Sequence, residues 1–313
     1  MEKAIKECFF SVVRANASAK ESDSANDYLI PWYVIGLVAI VCSVTLIVIA
    51  ILGPAFLGFI HYRTSQSEIW QTEAFDITDL IVLAPILLIG GIFQLARRDS
   101  SKYLLILSPV TLMIIGLEYG LGEEWSSTVY TGNVEAYSWL FLILIIGGLI
   151  LLIGNLSKFA GEEAPNFRRK WLKVYVAVMA LFLLAFAVMW SSQIYDVISK
   201  GNTSAGDYLS APTSFWVVRF FDLGITIPLG FIALLLLLSK PNKAYPILLL
   251  FFGFFITLGT SVNASAIILV LNKDPSVTGA NAGGLVIFPV LGFLAYSGLY
   301  YLVKDKLRGV LRK

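Results

Sequence analysis

The chain has 313 residues, 58% of them hydrophobic and only 14% charged, with a mean hydropathy of +0.80. An average soluble domain is about half apolar and about a quarter charged, so a soluble enzyme and a nucleic-acid binder are both excluded. The net charge of +2, from 23 basic and 21 acidic residues, looks neutral until the residues are placed about a membrane.

Residues 1–14 set Ile5, Cys8, Phe9, Val12 and Val13 at helical spacing on one face, with Lys3, Lys6, Glu7 and Arg14 on the others. This predicts either a short helix lying on the inner membrane surface or a frayed tail. A Ser-, Ala- and Asp-rich linker follows over 15–28. The interrupted apolar content does not fit a cleaved signal peptide.

A helix needs about 20 apolar residues to cross about 30 Å of hydrocarbon. Such runs occur at 33–59, 79–96, 103–121, 136–157, 172–193, 215–239, 245–271 and 283–303. Stretches such as Leu140 to Ile153 are apolar on every side, which fits helices and not the alternating strands of a barrel. The expected fold is therefore an all-α integral membrane protein of eight transmembrane helices. Residues 1–30 precede a first half over 31–160 and a second over 161–313.

Lys and Arg in the loops set orientation. With the N-terminus inside, the inner side holds 19 basic and 9 acidic residues, and the outer side, with its membrane-edge residues, 4 basic and 12 acidic. Both termini are expected in the cytoplasm and the chain in the plasma membrane.

The halves share a spacing. Asp79-Leu80 is followed by Pro85, Arg97 and Tyr103, and Asp222-Leu223 by Pro228, Lys240 and Tyr245. The offset is 143 residues, falling to 142 at the tyrosines. Four spans per half is an even number, so the repeats are expected to be parallel, about an axis along the membrane normal. Pro85 and Pro228 predict kinks at matched depth. The stretch from Asp79 to Pro85, running into Ala96-Arg97-Arg98-Asp99-Ser100, resembles a pattern in uncharacterised prokaryotic multi-pass membrane proteins. There a D-L-x-V-x-x-P span enters an inner R-R-G-S turn, and a second D-x5-P span recurs. Asp99 stands where that pattern has Gly. The resemblance covers 75–125 well and 215–250 loosely, and implies architecture but no activity.

Ionisable residues at membrane depth are the default functional candidates. Asp76 and Asp79 are expected to open the second span, with Arg219 and Asp222 at the equivalent positions of the sixth. Capping of helix starts and a structural Arg–carboxylate pair, within span 6 or across the axis to Asp76 or Asp79, compete with a substrate or ion site. Glu118, between Leu117 and Tyr119, is the best single candidate. With Glu123, Glu124 and Glu135 it makes an acidic outer face, read either as solvated or as a place for a small cation. The seventh span is the most polar, with Thr257, Gly259, Thr260, Ser261, Asn263 and Ser265. It fits interhelical hydrogen bonding or a broken helix along a polar path. The glycine pairs 90–91, 147–148 and 283–284 read as packing sites, and five tryptophans as an outer aromatic belt.

A single histidine, His61, and two cysteines, Cys8 and Cys42, supply no disulfide framework, zinc motif or histidine-based triad. No cofactor, resident metal or catalytic set is expected. Bilayer lipid is the expected surrounding, and the sequence names no protein partner. The leading functional expectation is a small-solute or ion permease, with a path near Asp79, Asp222, Arg219 and Glu118. A non-transporting sensor or assembly protein, docking through residues 1–30 and the basic loops, is the second. A membrane enzyme acting on lipid is the third.

Overall fold

The computed structural model describes residues 29–165, 169–200, 206–274, 277 and 284–311. The expected amphipathic segment 1–14 and its linker lie outside these residues. Within them the chain is all-helical, without a strand. Seven helices are long and apolar enough to cross a membrane, so this is a polytopic membrane protein. They are α1 (Trp32–Leu52), α2 (Gln66–Leu95), α3 (Ser101–Leu121), α4 (Val134–Ser157), α5 (Trp171–Ser199), α6 (Pro212–Ser239) and α7 (Pro241–Leu271). Over the last apolar run lies another helix, α8 (Gly284–Leu311).

Helix α2 starts thirteen residues before the expected 79. Ser65 caps it by accepting the Glu68 N–H at 3.4 Å, and Glu68 lies in the first turn. The Ser65-x-x-Glu68 spacing is that of a capping box. The first three turns, Gln66–Thr78, are polar enough that hydropathy misses them. Asp76 and Asp79 therefore stand inside a helix and do not cap its start, which corrects the expectation that they open the span. Helix α6 likewise starts at Pro212, so Arg219 and Asp222 are internal as well.

Helices α2 and α6 share a defect at the repeat offset. Each changes from α to π for five residues, Asp79–Leu83 and Asp222–Thr226. The Asp79 carbonyl accepts the Ala84 N–H, and the Asp222 carbonyl the Ile227 N–H, each five residues on. Pro85 and Pro228 follow at the second position of the renewed α segments. The cause is local: proline has no N–H and its ring crowds the carbonyl four residues back, and one wide turn relieves that crowding.

Packing follows the same correspondence. Helix α1 packs on α2 and α4, and α3 on α4; α6 packs on α5 and α7, and α7 on α8. Between α1–α4 and the later helices, the first part of α2 lies on α7 and the first part of α6 on α3, while α3 and α7 touch directly. Exchanging α2 with α6 and α3 with α7 turns the α2–α7 contact into the α6–α3 contact, whereas the α1–α4 contact has no counterpart of like extent between α5 and α8 among the described residues. There are also two apolar cores. One joins Ile35, Cys42, Leu87, Leu112, Phe141 and Leu144. The other centres on Leu183, Ala233, Leu249 and Phe252 and borrows Ile106, Val110 and Ile114 from α3.

In lipid, close backbone approach replaces the hydrophobic effect as the main drive for helix pairing. Gly36 of α1 and Gly91 of α2 meet so closely that a Cβ on either would fall 3.2 or 2.9 Å from the other's carbonyl oxygen. The seventh span's polar residues serve the same end. Thr257 bonds Thr111 of α3 at 2.6 Å, Ser261 accepts from Thr78 of α2 at 2.7 Å, and Ser265 donates to the Gln71 carbonyl at 3.3 Å.

Candidate functional site

The two π turns sit near the acidic end of the bundle, where the chain passes from α1 to α2 and from α3 to α4. Here the loop carrying His61 and Arg63 runs beside that carrying Glu124 and Asn133. Asn133 N–H donates to the His61 carbonyl, and Glu124 N–H to that of Arg63, both at 2.9 Å. Glu123 and Glu124 are buried under this pairing, at 3% and 7% exposure, so they are no solvated face. Glu123 accepts the backbone N–H of Arg63. Burial pushes its carboxyl up to about 7, against the lowering effect of that N–H and the Arg63 guanidinium. Glu124 reaches the start of α6, accepting Thr213 N–H at 2.7 Å and its hydroxyl at 3.2 Å. Glu135 pairs with Arg63 at 3.3 Å. Among the described residues no three His, Cys, Asp or Glu side chains are grouped to hold a metal ion.

Below this cap the expected residues fall into two groups. In the first, Asp76 and Asp79 are both buried on one face of α2. Asp76 accepts the Ala55 N–H at 3.2 Å and lies hard against Gly53, closing the end of α1. Tyr62 and Tyr119 wall the pair, their rings 5.5 Å apart, with Phe75 edge-on to Tyr119 at 5.7 Å. Burial, then the carboxylates of Asp76, Glu123 and Asp79, push the Tyr62 hydroxyl well above its ordinary range.

The second group joins α3, α5 and α6. Arg219 is 5% exposed. Its Nε and Nη2 both donate to Gln193 Oε1, at 3.2 and 2.8 Å. The guanidinium lies 4.4 Å from the Trp190 ring and 3.9 Å from the Phe215 ring, a cation between two aromatic faces. Trp190 Nε1 donates to Asp222 Oδ2 at 3.0 Å. Half-buried Glu118 comes in from α3, hydrogen-bonded to Ser214 and within electrostatic reach of Glu68, Asp222 and Arg219. Glu118, Arg219 and Asp222, named together as candidates, thus lie within electrostatic reach of one another. Tyr119 is within electrostatic reach of Glu118 as well as of Asp76 and Asp79. Asn263 joins neither group: its amide donates to the Gly259 carbonyl at 2.6 Å, facing Gly292 of α8.

Sequence reasoning missed Tyr62, Glu68, Trp190 and Gln193. The spacing of Trp190 and Gln193 matches that of Arg219 and Asp222, so the two i, i+3 pairs face one another, yet no motif announces it. At the opposite, basic end, Tyr103 and Tyr245, 142 residues apart, meet with the Phe159 ring edge-on to both, at 5.6 and 6.0 Å. Close by, burial and then Lys102 bring the Lys158 amine down to about 8. Comparison of the chain with known protein families, curated proteins and solved structures gives no match.

Proposed function

We propose that the chain is a small-solute or ion permease of the plasma membrane, built as two parallel four-span halves about a pseudo-twofold axis, with α8 as the eighth span and both termini cytoplasmic. The observation that carries this reading is the meeting of Glu118 from one half with Arg219 and Asp222 from the other. Charges buried at a seam between helix groups are costly, and in membrane proteins they mark substrate and ion pathways. The matched π turns and prolines support it, because they interrupt α6 beside those charges and α2 beside Asp79. The exchange of contacts α2–α7 and α6–α3 supports the parallel arrangement. The basic residues at the Arg97 and Lys158 end support the orientation.

Reconstitution into liposomes tests the reading. The chain is expected to move a cation, anion or small solute down an imposed gradient, and Glu118→Gln with Asp222→Asn to slow it about tenfold or more, the cost of one or two charge-assisted contacts. If the folded chain moves nothing under any gradient, the reading falls and a non-transporting sensor or assembly role replaces it.

A further inference from the structure

We propose that Asp76, Asp79 and Tyr62 form a proton-binding site, in which the two carboxylates share one proton and the Tyr62 hydroxyl donates to the pair. Asp76 and Asp79 are three residues apart on one helix face, 4% and 7% exposed. The one hydrogen bond to either carboxylate among the described residues is the Ala55 N–H to Asp76. Two buried carboxylates this close do not both stay charged without a counterion.

The second observation is independent of the acids. Tyr62 is 4% exposed and its hydroxyl has no hydrogen-bond partner. Burying such a group unpaired is unfavourable. The carboxylates of Asp76, Glu123 and Asp79 are within electrostatic reach, so the O–H is an unpaired donor with acceptors in its neighbourhood.

Among the described residues, the groups around the pair give no counterion to it. From α2 there are Glu73, one turn away, and Thr78, whose hydroxyl is taken by Ala74 O and Ser261. Helix α3 gives Tyr119, the end of α1 the backbone at Gly53 and Ala55, and the loop after α3 Glu123. Arg63, in the loop that carries Tyr62, turns its guanidinium to Gly132 O and Glu135. A proton fits this box because it needs no ligand sphere, and the aromatic walls of Tyr62, Tyr119, Phe75 and Phe141 keep it dry. The site deepens the permease reading by naming a coupling ion, but the proton is read without any flux.

Infrared difference spectroscopy of the purified chain in lipid nanodiscs is the test. At neutral pH the wild type is expected to show a protonated-carboxyl C=O band that moves down in D2O, distinct from the Glu123 contribution, which is identified by its loss in Glu123→Gln. Asp79→Asn and Asp76→Asn should each remove it. Tyr62→Phe should keep the band and raise its frequency, since the carboxyl loses a hydrogen bond. Absence of the band in the wild type, or its persistence in both Asp variants, overturns the proposal. So does its loss when sodium is added at fixed pH, which would make a metal cation the occupant. If the Asp variants fail gel filtration as folded protein, the Tyr62→Phe comparison decides, and an unmoved band overturns the site. A band present in a chain that moves no solute removes the permease and leaves the proton site standing.

Discussion

Trp190 donates its indole N–H to the Asp222 carboxylate at 3.0 Å while its ring face receives the Arg219 guanidinium at 4.4 Å. One side chain of α5 thus serves both charges of an i, i+3 pair on α6. The arrangement explains how an acid and an arginine are held in the bundle at low cost: each is desolvated against a partner that suits it. Helix α5 otherwise buries little of its surface, and this contact fixes its rotation against α6.

Trp190→Phe keeps a ring for Arg219 but takes the donor from Asp222. A buried carboxylate that loses its hydrogen bond is expected to cost about 1–3 kcal/mol, seen as a lower unfolding midpoint in detergent. Combining Trp190→Phe with Asp222→Asn should cost less than the sum of the singles, because the amide tolerates the missing donor better than the charge does. Additive losses would show that the contact does not couple the helices.

Glu124 ties the loop after α3 to the first turn of α6, where Pro212 leaves few amides to cap. Glu124→Ala should destabilise by about 1–2 kcal/mol, the usual worth of an N-terminal cap. Glu124→Gln keeps an acceptor for Thr213 N–H and should lose about half as much. The check is the thermal midpoint of each variant, with hydrogen exchange at Thr213 and its neighbours as the local readout.

The pattern of apolar runs made the bundle legible, and the 143-residue spacing pointed to the two helices that carry the π turns. What escaped was how far α2 extends. Gln66–Thr78 is too polar for a hydropathy window, although Ser65 and Glu68 spell a capping box. That omission turned Asp76 and Asp79 from internal residues into supposed caps and left Tyr62 unnoticed in a loop. The π turns were not visible as such, because a period of 3.6 is assumed in reading helices and only the prolines marked the place. Glu123 and Glu124 look like a solvated acidic loop in sequence, and only the pairing of two distant loops over them accounts for their burial.

Glu123 makes the cap sensitive to pH. Its folded carboxyl sits at about 7, above an ordinary 4.5, chiefly through burial. The folded chain therefore holds a proton there that the unfolded chain releases between about pH 4.5 and 7. The stabilisation is complete below about 4.5 and is lost as pH rises through about 7, a total on the order of 3 kcal/mol. Glu123→Gln should flatten this slope in unfolding midpoints taken across that window, and an unchanged slope would assign it to another group.

Cys42 and Gly147 define the crossing of α1 and α4. The Cys42 sulfur lies where a Cβ on Gly147 would be, and its thiol is 4.0 Å from the Ile143 carbonyl. Gly147→Ala should force the helices apart or the sulfur into another rotamer, at about 1–3 kcal/mol. Cys42→Ala alone opens a small void and should cost about 1 kcal/mol. The double variant Cys42→Ala with Gly147→Ala refills that void with the new methyl, so it should be more stable than Gly147→Ala by itself. Unfolding midpoints of the three variants close the cycle. If the double variant is the least stable of the set, the sulfur is not what sets the distance between the two helices.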